Sequence, residues 1–275
     1  MDKQYLYCWR KIIERQSMKF LHLSDLHIGK SVNGFPMLEE QRHIFAQAIG
    51  HIQTEKPDAV LIAGDIYDRT VPSVEAVRLF DDFLTRLAKE GVTVLLISGN
   101  HDSPERLNYA SRLLAERNLY LCGVFDGKLQ SVTLSDGYGE VNFWLLPFVK
   151  PSTIRSIFCD TEIDDSYTDA VSMVLKTAAI DYTARNVLLS HQYYTAAGVT
   201  HVLSESEINP VGGLGAVDSG LLSLFDYAAL GHLHGAHDVD RNVRYAGSPL
   251  KYSFSECRQE KSATLVVLKK KATSV

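Results

Sequence analysis

Five short segments concentrate the residues able to do metal chemistry: Asp25-Leu26-His27, Gly64-Asp65, Gly99-Asn100-His101-Asp102, His191, and Gly231-His232-Leu233-His234. They offer carboxylates, imidazoles and one amide oxygen, with no thiolate, a donor set that suits manganese, iron or zinc and not a soft, thiophilic ion. Asp25, His27, Asp65, Asn100, His191, His232 and His234 make seven donors, too many for one ion that keeps a position open. Two ions sharing Asp65 as a bridge use all of them, an arrangement suited to hydrolysis at phosphorus with ions ~3.5–4 Å apart. Gly64, Gly99 and Gly231 stand beside the donors, where the backbone can turn sharply and approach an anion closely.

The elements around these segments predict how they meet. Phe20–Ser24, Ala59–Ala63 and Val92–Ser98 read as buried strands. Between the first two, Phe45, Ala48, Ile49 and Ile52 form a helical stripe that ends at Pro57. Between the second and third, Ser73 is an N-cap, Val77, Phe80, Leu84 and Leu87 form a stripe, and Gly91 closes the helix. This βαβαβ order implies a parallel sheet. Another helix starts at Ser103 with Pro104 in its first turn. Leu129–Leu134 and Val141–Leu146 flank a turn-forming string and predict a hairpin. A helix over Val171–Ala178 follows, then strands at Val187–Ser190, Tyr227–Leu230, Val243–Ala246 and Ala263–Leu268. The fold class is therefore α/β, one domain on two sheets, with the donors at the carboxyl ends of five strands, where such sheets place ligands.

Composition excludes several classes. Hydrophobic residues make up 45% and charged residues 22%, enough to bury a core and too ordered a mixture for a disordered chain. A formal net charge of −5 excludes a polycation that coats nucleic acid by charge alone. Cys8, Cys122, Cys159 and Cys257 form no C-x-x-C pair, which removes metal-knuckle and dithiol readings and fits a reducing cytoplasm. No apolar run reaches the ~18 residues a membrane span needs. Residues 1–17 carry charges that break any secretory h-region and read as an extension outside the core. A histidine by itself is usually a structural or surface residue, and His22, His43, His51, His201 and His237 are read that way. His191 differs because it stands at a strand end within an otherwise complete donor set.

In that order the segments resemble the calcineurin-like metallophosphoesterase superfamily. His22-Leu23-Ser24-Asp25-Leu26-His27-Ile28-Gly29-Lys30, Leu189-Ser190-His191-Gln192 and Gly247-Ser248-Pro249-Leu250-Lys251-Tyr252-Ser253-Phe254-Ser255-Glu256 are similar to the bacterial SbcD-type nuclease subunits within it. The resemblance covers residues 18–268 and implies a two-sheet sandwich flanked by helices (αββα) with a dinuclear metal site. It implies two divalent ions, manganese first, with iron, zinc or magnesium as alternatives. It assigns His101 to the substrate, stabilising the phosphoryl group or protonating the leaving oxygen, and Asp102 is expected to orient that imidazole. The implied activity is 3′→5′ exonuclease and single-strand or hairpin endonuclease cleavage of DNA in repair. The implied partners are DNA, an SbcC-type ATPase and a second copy of the chain, which meets the first through helices near 74–88 and 104–115; Val77, Phe80, Leu113 and Leu114 fit that role, and an ordinary core stripe accounts for them equally well. The implied setting is the bacterial cytoplasm at the nucleoid.

Two departures qualify the resemblance. Some archaeal relatives carry an active-site His three residues beyond the bridging Asp, where this chain has Asp68, so that role does not transfer. Relatives also continue past the last strand into a DNA-capping domain and an ATPase-binding segment. Residues 269–275 read as a tail with the capping domain absent, so the expectation is an intact metal site with weak grip on DNA and ATPase. The alternatives are a phosphomonoesterase or cyclic-nucleotide phosphodiesterase on the same fold, and a non-catalytic protein-binding scaffold.

Overall fold

The structure, a computed structural model, describes residues 16–159, 164–196, 207 and 215–271. His201, Cys8, residues 1–15 of the expected extension and residues 272–275 of the expected tail lie outside the described residues. In chain order the elements are β1 (Met18–Leu23), a small hairpin of β2 (Ser31–Val32) and β3 (Phe35–Pro36), α1 (Leu38–Glu55), β4 (Ala59–Ala63), α2 (Val74–Glu90), β5 (Thr93–Ile97), α3 (Pro104–Leu107), α4 (Ser111–Ala115) and β6 (Leu119–Cys122). Then come β7 (Gln130–Asp136), β8 (Gly139–Leu146), α5 (Pro151–Ile157), α6 (Tyr167–Thr177), β9 (Arg185–Ser190), β10 (Tyr193–Thr195), β11 (Ala216–Asp218), β12 (Tyr227–Leu230), β13 (His237–Asp240), β14 (Val243–Tyr245) and β15 (Thr264–Leu268).

Two main sheets form. The first has the order β15-β1-β4-β5-β6, with β1, β4, β5 and β6 parallel and β15 antiparallel beside β1. The second has the order β13-β14-β12-β9-β8-β7, with β8, β9, β12 and β14 parallel and an antiparallel strand at each edge. Alternation within the strands explains the stacking. Phe20, Leu61, Leu95 and Ile97 meet Phe143, Leu145, Val187 and Leu189 between the sheets. The opposite face of the first sheet, through Leu21, Val60, Ile62 and Val94, packs on Phe45, Ile49, Phe80 and Phe83 of α1 and α2. The second sheet carries Ile154 of α5 and Val171 and Val174 of α6 on its outer face. Each such buried side chain contributes about 1.5–3 kcal/mol of apolar transfer free energy. The four layers are helix, sheet, sheet, helix, the sandwich expected.

Local signals hold at α2: Ser73 accepts from the Ala76 N–H, and Gly91 takes a left-handed φ of 70° to end the helix. The helix expected from Ser103 is instead two short pieces. Ala110 adopts φ 58° between them, and the Asn108 side chain is drawn off to accept the Gly123 N–H. Ser103 stands at the cap position without a side-chain capping bond. His22 is indeed structural: wholly buried between the sheets, it lies 3.0 Å from the Tyr227 hydroxyl, and burial pushes its pKa down to about 3. His43 pairs with Gln47 on the surface of α1, and His237 stacks on Tyr245.

Candidate metal centre

The seven expected donors converge on one rim of the sandwich, where β1, β4, β5, β9 and β12 end. Asp25, His27, Asp65, His191 and His234 are buried, while Asn100, His101 and His232 are half-buried. One oxygen of Asp65 is central. Its Oδ2 lies 3.4 Å from His191 Nε2, 3.6 Å from His27 Nε2 and 4.0 Å from His101 Nε2. Ligand atoms of Asp25, His27 and His234 lie within 4.8 Å of one another, as do those of Asp25, Asp65 and His191 and those of His27, Asp68 and His101. Asn100 Oδ1 is 3.1 Å from His191 Nε2 and 3.0 Å from His232 Nδ1.

The backbone reaches this arrangement through conformations that side chains seldom adopt. Asp25, His27, Asp65 and His232 have φ values of 52°, 42°, 50° and 106°. The convergence of Asp25 and His27 therefore comes from left-handed residues. Hydrogen bonds hold these residues in place: Asp25 and His27 donate their N–H groups to the carbonyls of Gly64 and Asp65, and both Asp25 oxygens accept the His232 N–H at 3.0 and 3.1 Å. The glycines make room for the donors themselves. A Cβ on Gly99 would collide with the Asp65 carboxylate, and one on Gly231 with the Ala63 carbonyl and the His191 ring.

Asp102 does not touch the His101 ring, contrary to expectation. Its carboxylate accepts the N–H groups of Ile66, Tyr67 and Gly99 at 3.1, 2.9 and 2.8 Å, stapling the loop after β4 to the loop after β5. The Asp68 main-chain oxygen holds His101 instead, 3.0 Å from Nδ1. The reason is geometric: a carboxylate committed to three amides of two tight turns points away from the ring that precedes it in sequence.

Sequence reasoning also missed several residues that fix the centre. Gln41 of α1 donates to the carbonyls of Leu26 and His27 and to the Tyr252 hydroxyl, and accepts the Gly29 N–H. Its signal was available, since it stands one turn before Phe45 on the buried face of α1. Tyr252 donates its hydroxyl to the Leu26 carbonyl. Glu256 lies 3.0 Å from His234 Nδ1, and Glu207 accepts the His234 N–H. Asp68 pairs with Lys30 at 2.8 Å.

Electrostatics follow from burial and from neighbours. Burial raises Asp25 to about 6, with Asp65 adding to the effect, and it raises Asp102 to about 6 in the same way. Burial also resists ionisation of Asp65, yet His191, His27 and His101 outweigh it and hold that carboxyl well below the usual range. His191 is the counterpart: burial opposes its charge, Asp65 and Asp25 overcome it, and the ring is pushed up to about 9. Burial drives His27 well down and His232 to about 3.

These features fit divalent cations. His27 and His234 point their Nε2 atoms at each other across 3.1 Å, and His27 Nδ1 is buried without a hydrogen-bond partner. Converging ring nitrogens, carboxylates and an amide oxygen can be satisfied together by a cation, and oxygen and nitrogen donors suit manganese, iron or zinc.

Comparison with known proteins agrees. The chain is 37% identical over 248 residues to the SbcD subunit of the nuclease SbcCD of Staphylococcus epidermidis, covering 89% of this chain and 64% of that protein. The chain thus spans less than two thirds of that relative's length. Two solved structures share the fold at low identity. TT1561 of Thermus thermophilus superposes with a TM-score of 0.54 at 12% identity, over 84% of this chain and 90% of its own. The phosphopantetheinyl hydrolase PptH of Mycobacterium tuberculosis gives 0.53 at 13%, over 92% and 96%. The description that matches residues 18–236 is that of the calcineurin-like phosphoesterases, whose span takes in every donor described above. On that match, and on a cluster that can hold metal, the chain belongs to the calcineurin-like phosphoesterase family.

Proposed function

We propose that the chain is the nuclease subunit of an SbcCD-type DNA repair assembly, a manganese-dependent phosphodiesterase that cuts DNA as a 3′→5′ exonuclease and as a single-strand or hairpin endonuclease. The observation that supports this most is the 37% identity to an SbcD subunit, beside a buried group of Asp and His side chains that could hold metal. Asp25, His27 and His234 would hold one ion and Asn100, His191 and His232 a second, with Asp65 available to both. Such ions would supply Lewis acidity and lower the pKa of a water toward neutrality. His101, outside the donor set and on the half-buried side, stands where it can hydrogen-bond a phosphoryl or leaving oxygen. Asp102 keeps Asp65 and Asn100 in register by joining their loops.

The same reading carries the partners: DNA, an SbcC-type ATPase and a second copy of the chain. Val77 and Leu113 are 44% and 66% exposed and available to a second copy, with Val74 and Tyr109 beside them. Phe80, expected at that surface, is 5% exposed and belongs to the core against α1, and Leu114 packs partly into the same cluster. Among the described residues no helix is long and apolar enough to cross a membrane.

Metal analysis with parallel assays on single-stranded DNA, hairpin DNA and p-nitrophenyl phosphate tests the proposal. Cleavage of DNA in Mn²⁺ supports it. Turnover of the small ester without any cleavage of DNA overturns it in favour of a phosphomonoesterase, and tight protein binding without metal or turnover in favour of a scaffold.

A further inference from the structure

The segment from Gly247 to Lys261 brings a buried carboxylate behind one histidine of the centre. Glu256 is fully buried, and its Oε1 lies 3.0 Å from His234 Nδ1. Its Oε2 accepts Lys261 Nζ at 2.6 Å and the Tyr252 N–H at 3.2 Å. Lys261 also donates to the His234 carbonyl, the Ser248 hydroxyl and the Gln259 amide oxygen. Lysine, carboxylate and imidazole therefore stand in line, and the far nitrogen of the imidazole, Nε2, faces His27 inside the donor cluster. The backing of His191 differs, because its Nδ1 meets the neutral main-chain oxygen of Ala63 at 2.8 Å.

A neutral imidazole carries one proton. A carboxylate that can only accept draws that proton to Nδ1 and leaves the Nε2 lone pair for a cation. A carboxylate also makes the ring a stronger donor than a carbonyl does. We propose that Glu256, anchored by Lys261, is a positioning residue that fixes the tautomer and orientation of His234 and strengthens one of the two cation positions over the other. The inference rests on the reading of His234 as a metal ligand.

The arrangement dictates what Glu256→Gln does. Lys261 has only donors and captures the amide oxygen, which turns the amide NH₂ toward His234 Nδ1. The imidazole proton then moves to Nε2, where a cation must bind, although side-chain shape is kept.

The test combines long-range ¹H–¹⁵N spectra of the metal-free wild-type protein and Glu256→Gln with calorimetric titration of both with Mn²⁺. The expected wild-type spectrum places the His234 proton on Nδ1, and that of Glu256→Gln places it on Nε2. One of two Mn²⁺ binding events should weaken about 10–100-fold in the variant while the other is kept. A wild-type proton on Nε2, equal loss at both sites, or unchanged affinity at both overturns the inference. Should the variant fail to fold, the wild-type spectrum decides alone. A wild-type protein that binds no divalent ion overturns the metal reading, and this inference with it. Wild-type binding left intact by Glu256→Gln overturns this inference only.

Discussion

The imidazole of His101 is aimed by a main-chain atom, the carbonyl oxygen of Asp68, 3.0 Å from its Nδ1. Because that anchor is backbone, it survives changes to the Asp68 side chain, and Nε2 stays turned toward the Asp65 carboxylate. His101→Ala is expected to keep both metal ions and to lose about 10²–10⁴-fold in turnover of a phosphodiester, the usual worth of a placed acid–base group. Elemental analysis beside steady-state kinetics checks it, and loss of metal in the variant would place His101 among the ligands instead.

The metal-free protein should respond to alkali in a defined direction. His191 is raised to about 9 from an ordinary value of 6.5, because Asp65 and Asp25 outweigh the burial that opposes its charge. A raised pKa means that the folded state binds more protons, so this contribution is full below pH 6.5 and is lost as pH rises toward 9. Asp25 and Asp102, raised to about 6 by burial, act in the same sense at lower pH, between their ordinary value of 3.8 and 6. In chelator, the melting midpoint should decline between pH 6.5 and 9, the window set by His191. Saturating Mn²⁺ should remove the decline, since metal binding displaces protons from its ligands. Scanning calorimetry in both buffers checks the pair, and a metal-free midpoint that climbs over that interval contradicts it.

Gln41→Leu leaves the Gly29 N–H unpaired, at a cost of about 1–3 kcal/mol. The Leu26 and His27 carbonyls lose one donor each and keep the Tyr252 hydroxyl and the Lys30 N–H. The variant should unfold at lower denaturant and bind Mn²⁺ more weakly, because the loop carrying Asp25 and His27 loses its tie to α1. Gln53→Ala, on an exposed part of the same helix, is the control and should match wild type in both measurements.

Val77→Glu combined with Leu113→Glu tests the second copy. Both side chains are exposed, so the folded monomer should change by no more than about 0.5 kcal/mol. Sedimentation should show a dimer for the wild type and a monomer for the variant, with turnover of a small phosphodiester retained. A wild type that stays monomeric at every concentration sinks the proposed interface.

Much of this architecture was legible because its signals are local. Ser73 and Gly91 bracket α2, the apolar runs of β1, β4 and β5 announce a parallel sheet, and the donors follow those runs directly. What escaped was long-range or carried by the main chain. Nothing in the spacing of His101 and Asp102 reveals that one is held by the Asp68 carbonyl and the other by three amides. Glu256 sits in a stretch that marked the resemblance without offering a role, since its partner His234 is found only through the fold. Gln41 was readable as a polar residue on an apolar helix face, and its meaning required the loop it ties down.

The pairing of β1 with β15 has a consequence for how the protein forms. Met18 lies beside Leu268 in the finished sheet, and Asp25 takes the N–H of a residue 207 positions further on. Bringing such distant partners together costs chain entropy before the contacts repay it, so these pairings are expected to form late in folding. Until Thr264–Leu268 docks, β1 presents an open edge of unpaired amides and carbonyls, the feature on which stray strands of other chains add. A nascent chain on the ribosome therefore carries its first two donors long before it can assemble the rim, and is most prone to aggregate in that interval.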